Sequence, residues 1–332
     1  MAACGCNVGC GKERIMAKRR VTIGIIGAGG IAPVHINAFR KFSRRCEVTA
    51  ICDIGAEAAK QKAEQYHLKA YGDHVEMLEK GKPDAVIICT PPDSHAAIAL
   101  DVLASRCAVL CEKPLAMTAA EGRRMVRAAG KAGTLFMVAF CHRFHEPIVR
   151  IKREIDRGRF GPVTTFRNVF CSSAGNAYGR GGNLMDNGSH SVDLMRYLLG
   201  DPWKVVGAQF RPKKAMNLDK VIDVTMLLSG PNEAMAYLEA GSRHAGGRAT
   251  VEVCGHRQSA IYDYAAGDRM RWFRHDVWED VELGAFPSRF ERQAEHFLNC
   301  LTKPEACITD IHSAQKTMEL SEKIRAKAEA AL

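Results

Sequence analysis

Val21-Thr22-Ile23-Gly24-Ile25-Ile26 runs directly into Gly27-Ala28-Gly29-Gly30-Ile31-Ala32. The first six residues read as a buried strand. The next six form a G-x-G-x-x-A turn that opens a helical pattern over 31–43. Each small residue in such a turn has a geometric job: a tight reversal, close approach of a pyrophosphate to the backbone, and close packing of helix on strand. A helix starting there offers free N–H groups and the positive end of its dipole to phosphates. The second strand, Glu47-Val48-Thr49-Ala50-Ile51-Cys52, ends at Asp53, where an acid binds ribose hydroxyls. The alternative role for Asp53 is a helix cap in the loop. Ile54 follows, with no arginine to receive a 2′-phosphate, so NAD is expected ahead of NADP.

Around that turn the chain alternates. Short apolar runs at 21–26, 47–52, 85–90, 107–111 and 135–140 are separated by helical patterns at 31–43, 55–66, 94–105 and 118–131. Runs apolar on both faces and joined by helices predict a parallel sheet covered on both sides. Thr118-Ala119-Ala120-Glu121 has capping-box spacing at the start of the last of these helices. Ligands of such sheets sit beyond the carboxyl ends of the strands. Thr90-Pro91-Pro92-Asp93-Ser94-His95 and Cys111-Glu112-Lys113-Pro114 are therefore expected to face the crevice. From that position Lys113 would reach both a nicotinamide and a substrate. Lys113-Pro114 is also a candidate cis peptide, a state only X-Pro bonds reach cheaply.

The alternation stops near residue 141. A helix is expected at 147–157, followed by extended segments at 163–171, 203–210, 221–229, 234–240, 249–254, 258–264 and 269–275. Ser229-Gly230-Pro231-Asn232-Glu233 reads as a hairpin loop, and helices return at 287–301 and 310–330. The second half is thus expected to be a mostly antiparallel sheet with helices on one face. One segment breaks that pattern: Gly181-Gly182-Asn183-Leu184-Met185-Asp186-Asn187-Gly188-Ser189-His190-Ser191-Val192-Asp193. Asp186, His190 and Asp193 fall on one helical face. An aspartate beside an imidazole fixes its tautomer and favours its protonated form. The alternative is a structural His–Asp pair. His142-Arg143-Phe144-His145 and the other histidines show no metal-ligand spacing, so no metal is expected.

Composition narrows the classes. Apolar residues make up 47% of the 332 residues and charged residues 25%, a globular balance. No apolar run approaches the ~20 residues of a membrane span. Lys plus Arg exceed Asp plus Glu by 47 − 37 = 10. No charge block or basic-aromatic motif accompanies that excess, so neither a nucleic-acid nor a membrane partner is expected. Thirteen cysteines are an odd number without regular spacing, and several lie in apolar runs, which reads as a reduced, cytoplasmic protein. Residues 1–18, with Cys4, Cys6 and Cys10, match nothing downstream and are expected to be a disordered or non-native leader.

Taken together, these segments resemble the Gfo/Idh/MocA family of oxidoreductases over about residues 20–330. The likeness rests on Gly27–Ala32, Asp53, Thr90-Pro91-Pro92 with His95, and Glu112-Lys113-Pro114. It continues through Arg143-Phe144, Gly158-Arg159-Phe160-Gly161-Pro162-Val163 and the Gly-Gly-x-Leu-x-Asp-x-Gly-x-His series ending at His190. The resemblance implies an α/β chain: an N-terminal Rossmann domain (19–140) with a doubly wound parallel sheet, then a C-terminal α+β domain (141–332) with an open, mostly antiparallel sheet. Its last helices are expected to pack back on the first domain. It implies Lys113, Asp186 and His190 as the catalytic group and Arg143 beside them on the substrate. The cofactor contacts implied are Gly27, Gly29, Gly30, Ile31, Asp53, Thr90, Pro91, Pro92, His95, Glu112 and Lys113. The activity implied is NAD-dependent dehydrogenation of a sugar, cyclitol or related polyol by a homodimer or homotetramer. An NAD-dependent glycoside hydrolase and a non-catalytic NAD-binding sensor remain open as alternatives at this stage.

Overall fold

The computed structural model describes residues 19–173, 182–211, 223–242 and 244–331. The expected leader lies outside the described residues, as does Gly181 at the start of the glycine-rich segment.

Alternation of buried strands and amphipathic helices builds the first layer. β1 (Val21–Ile26), β2 (Cys46–Cys52), β3 (Lys69–Tyr71), β4 (Ala85–Ile88), β5 (Ala108–Cys111) and β6 (Phe136–Val138) form one sheet in the order β3-β2-β1-β4-β5-β6. Every pairing in it is parallel. The crossovers are carried by α1 (Ala32–Arg40), α2 (Ala56–Tyr66), α3 (Pro92–Ala104) and α4 (Ala119–Ala132). Chain order reverses between β1 and β4, so their carboxyl ends open a crevice at the switch point. β4 and β5 are buried at every residue, as a doubly covered strand must be. Thr118 and Glu121 form the expected capping box on α4. Pro91 and Pro92 occupy the N-cap and first turn of α3, where a missing N–H costs nothing. β3 was not legible: its three residues are too few to show a period.

The second layer is an eight-stranded sheet in the order β14-β13-β12-β11-β7-β10-β9-β8. Its strands are β7 (Val163–Cys171), β8 (Lys204–Arg211), β9 (Asp223–Ser229), β10 (Met235–Gly241), β11 (Arg248–Gly255), β12 (Ser259–Asp263), β13 (Arg269–Arg274) and β14 (Val277–Val281). Only the β7–β10 pairing at its centre is parallel. One face carries Phe166, Phe210, Met226, Leu238, Val253 and Tyr262 into a core shared with α5 (Glu146–Asp156) and α6 (Asn187–Leu199). The other face is open.

Two late helices cross between the layers. Phe297 of α7 (Arg289–Cys300) meets Phe39 of α1 edge-on, with ring centroids 5.9 Å apart. The segment before α8 (Ile311–Glu329) adds a bridge to β6 at Met137–Asp310, and α8 then packs on both α4 and β8.

Candidate active site

The crevice begins at the glycine turn. Gly27 has φ +101°, and a Cβ there would lie 2.7 Å from the Cys89 carbonyl carbon and 2.8 Å from the Thr90 nitrogen. Only glycine lets β1 turn against the end of β4. Gly29 and Gly30 are the opposite case: exposed at the start of α1, with nothing within 4 Å of where a Cβ would stand. That open floor ahead of a helix N-terminus fits a pyrophosphate. Ile31 caps α1. Asp53 braces the same turn, accepting from the Ala28 N–H at 2.7 Å and the Gly55 N–H at 2.8 Å. Gly55 is itself the N-cap of α2, so the aspartate also has part of the helix-capping role. Beside it Ile54 is 99% exposed.

Two expected cofactor contacts lie deeper than the sequence suggested. His95 is fully buried, with Nδ1 2.9 Å from the Pro114 carbonyl and Nε2 2.9 Å from the Thr90 carbonyl. The ring lies between the Thr90-Pro91-Pro92 and Lys113-Pro114 segments, its one N–H donating to one of the two carbonyls. Its place is under the crevice rather than in it. Glu112 is buried as well, with Oε1 2.7 Å from His35 Nε2 and Oε2 accepting the Lys113 N–H at 3.2 Å. Burial alone would raise its carboxyl, but His35 and Lys113 outweigh that and hold it below the usual range. His35 lies on α1, so this pair ties the glycine-turn helix to the β5 segment; it went unread because α1 resembles any amphipathic helix. The Lys113-Pro114 bond is cis, as the sequence suggested.

Across the crevice stands the Asp186–His190 segment. Asp186 is the N-cap of α6, and its Oδ1 accepts a hydrogen bond from Lys113 Nζ in a short ion pair linking the two sheets. Lys113 and Asp186 are both about one-fifth exposed, open enough to meet a ligand. His190, one turn further on, is buried, and its Nδ1 has no hydrogen-bond partner among the described residues. The expectation that Asp186 holds the imidazole is corrected here: the carboxylate is engaged by the lysine. The expected charge state reverses with it. Burial, and then the positive charges of Lys113, His142 and Arg289, push the His190 imidazole well below its ordinary pKa, so it stands neutral.

Asp193, expected on the same face, belongs to a different structure. Its two oxygens accept from Arg143 Nε at 2.8 Å and Nη2 at 2.5 Å. Arg143 also reaches the Ser313 hydroxyl at 3.0 Å and donates to the Ile308 carbonyl. Every guanidinium nitrogen is committed and the residue is buried, which corrects its expected place on the substrate.

An imidazole and phenol cluster lines the space behind His190. The His142 ring lies 4.6 Å from it, and His142 Nδ1 is 2.9 Å from the Tyr264 hydroxyl. The Tyr264 ring stacks on His145 at 5.0 Å, and His145 Nε2 is 2.5 Å from the Tyr262 hydroxyl. Burial and Arg289 press the His145 imidazole down to about 4. Sequence reasoning missed Tyr262 and Tyr264; their i, i+2 spacing at the end of β12 was the signal that two aromatic rings share one face. Cys141, His142 and His190 converge within 4.8 Å. Lys113 and Arg289 place positive charge beside that trio, and His142 has already spent Nδ1, so it fits an imidazole cluster better than a cation site.

A parallel sheet with an open glycine turn and a lysine just beyond its fifth strand, facing a carboxylate and a neutral histidine on a helix packed against a second sheet, defines a dinucleotide-binding protein. Residues 21–140 match the family profile described as an oxidoreductase family with an NAD-binding Rossmann fold, and residues 148–261 match the GFO/IDH/MocA C-terminal domain. The chain belongs to the Gfo/Idh/MocA family of oxidoreductases, and its first domain is of the NAD-binding kind. It is 30% identical over 191 residues to inositol 2-dehydrogenase of Salmonella typhimurium, covering 56% of this chain and 57% of that protein. It is 32% identical over 197 residues to D-glucoside 3-dehydrogenase of Escherichia coli, covering 56% of each. The match thus spans somewhat more than half the length of these curated relatives. Among solved structures it is similar to aldose-aldose oxidoreductase from Caulobacter crescentus, with a TM-score of 0.85, 22% identity, and coverage of 95% of this chain and 99% of that one. That likeness shows the fold.

Proposed function

We propose that the protein is an NAD-dependent dehydrogenase of a sugar, cyclitol or related polyol, with Lys113, Asp186 and His190 as its catalytic group. The observation that carries this reading is a neutral, buried imidazole with a free ring nitrogen beside an ammonium already anchored by a carboxylate. A nicotinamide bound in the crevice would supply the hydride acceptor. The glycine turn and the start of α1 would hold the pyrophosphate, and Asp53 the adenosine ribose, its charge disfavouring a 2′-phosphate. Ile54 offers an apolar rim for the adenine.

The residues divide the remaining work. His190 accepts the proton of the substrate hydroxyl at a ring nitrogen, since a neutral imidazole keeps a lone pair free at ordinary pH. The Lys113 ammonium donates to the same oxygen and stabilises the negative charge that develops as the proton leaves. Asp186 fixes the lysine's direction and takes a second substrate hydroxyl as acceptor. The imidazole and tyrosine cluster presents polar edges on an apolar wall, which suits a polyhydroxylated ring. Similarity to an inositol 2-dehydrogenase and a D-glucoside 3-dehydrogenase supports that substrate class.

The open face of the second sheet exposes Val206, Tyr237 and Trp278, apolar groups suited to pairing two copies as a homodimer or homotetramer. No helix among the described residues is long and apolar enough to cross a membrane. The buried free cysteines suit a reducing cytoplasm.

The test is NADH production by the purified chain against a panel of inositols, aldoses, glycosides and sugar acids. At least one polyol should accumulate NADH stoichiometrically with a ketone, and His190→Ala should lower turnover by about 10²–10⁴-fold with NAD binding retained. Net hydrolysis of a glycoside without NADH, or full turnover in His190→Ala, overturns the reading.

A further inference from the structure

Away from the crevice, at the outer edge of the parallel sheet, three soft donors meet. His296 and Cys300 stand one helical turn apart at the end of α7, and Cys307 follows the short loop toward α8. Their donor atoms lie within 4.8 Å of one another. Cys300 Sγ is 3.4 Å from His296 Nε2. A tetrahedral zinc, with Zn–S of about 2.3 Å and Zn–N of about 2.0 Å, sets its N···S edge at about 3.5 Å. The observed separation already matches that edge.

The surroundings fit the same chemistry. The Ile308 N–H donates to His296 Nε2 at 3.1 Å, which puts the ring proton on Nδ1; a cation would take the Nε2 lone pair in place of that N–H. Thr309 Oγ1 is fully buried with no partner among the described residues, leaving polar capacity in the same segment. Cys300 and Cys307 are both buried, away from oxidants. The segment they anchor carries the Val138–Thr309 hydrogen bond and the bridge to β6.

We propose that His296, Cys300 and Cys307 bind one zinc-class divalent cation, a three-ligand site at the turn from α7 into α8. Binding breaks two S–H bonds, forms two metal–sulfur bonds and one metal–nitrogen bond, and releases two protons to solvent. Affinity therefore rises with pH. A water completes the fourth position. The site is independent of the proposed dehydrogenase chemistry and stands or falls without it.

The experiment uses the full chain expressed with added zinc, desalted, and assayed by mass spectrometry for metal. About one equivalent is expected, and Cys300→Ser and Cys307→Ser should each weaken zinc affinity by more than about 100-fold, since even losses outside the ligand set cost 10–100-fold. A variant with Cys4→Ser, Cys6→Ser and Cys10→Ser should keep its zinc, which separates this site from the cysteines near the start of the chain. Cobalt added to that same variant should give thiolate-to-metal charge-transfer absorption, a readout that needs no change at the site. Zinc absent from the parent chain, zinc retained by Cys300→Ser, a cobalt spectrum without thiolate bands, or a Cys300–Cys307 disulfide in the unreduced protein each overturns the proposal.

Discussion

Replacing Arg143 with methionine separates a structural arginine from a substrate-binding one. The guanidinium makes two hydrogen bonds to Asp193 and others to Ser313 and Ile308, joining the short turn after β6 to α6 and to the start of α8. The side chains of Arg143 and Asp193 are only 5% and 1% exposed. Methionine keeps the length of the side chain but leaves the Asp193 carboxylate dry, with the Thr317 hydroxyl at 3.4 Å as its remaining hydrogen bond among the described residues. Breaking a buried pair from one side costs about 3–5 kcal/mol. At about 2–4 °C per kcal/mol, the melting temperature should fall by about 6–20 °C. Adding Asp193→Leu removes the stranded charge and should recover part of the loss, a coupling that a double-mutant cycle reads directly. Thermal unfolding of the four proteins at neutral pH measures all of this. Substrate KM at a permissive temperature should stay near the parent value. An unchanged melting temperature with a raised KM would refute the assignment and return Arg143 to the substrate.

Gly27→Ala should weaken NAD binding about 5–150-fold, because strained backbone of this kind costs about 1–3 kcal/mol and the new methyl meets Cys89 and Thr90; calorimetry giving parent affinity would contradict the turn geometry. Asp53→Ala should weaken NAD and narrow its margin over NADP, and a parent chain that binds NADP more tightly would contradict the reading of that carboxylate. Lys113→Met should lower turnover and also move the acid limb of the pH–rate profile. Burial and then the Lys113 charge depress the His190 imidazole, so removing the cation raises its pKa and the limb shifts to higher pH. A limb that stays put or moves to lower pH would show that the lysine does not act on His190.

The first sheet was legible because its signals are local and repeated. β4 and β5 are short unbroken apolar runs and β1 a nearly apolar one, the glycine turn is contiguous, and Thr118 and Glu121 announce α4 within four residues. Lys113, Asp186 and His190 also stood out, each in a segment that interrupts its surroundings. Partnership was not legible. Spacing on α6 made Asp186 the natural companion of His190, yet the tertiary fold brings Lys113 from 73 residues away and the carboxylate turns to it. Asp193 likewise pairs with Arg143 across 50 residues. His95 read as a crevice residue from its place after a strand, and only the approach of Pro114 from the next segment shows it buried. Helical periodicity reports which face a side chain occupies. It carries no information on what arrives opposite that face.

The late helices have a consequence for synthesis. A ribosome has made the whole parallel sheet before residue 141 is added, yet α1 then lacks Phe297, and the edge of β6 lacks the Thr309–Asp310 segment. At about 5–20 residues per second, the missing cover arrives roughly 10–30 seconds later. During that interval the nascent sheet shows an apolar flank and an unpaired strand edge, the kind of surface on which chaperones act. The first domain therefore cannot finish before the last one begins to close over it, and a chain halted short of α8 should be a holdase client rather than a smaller dinucleotide-binding protein.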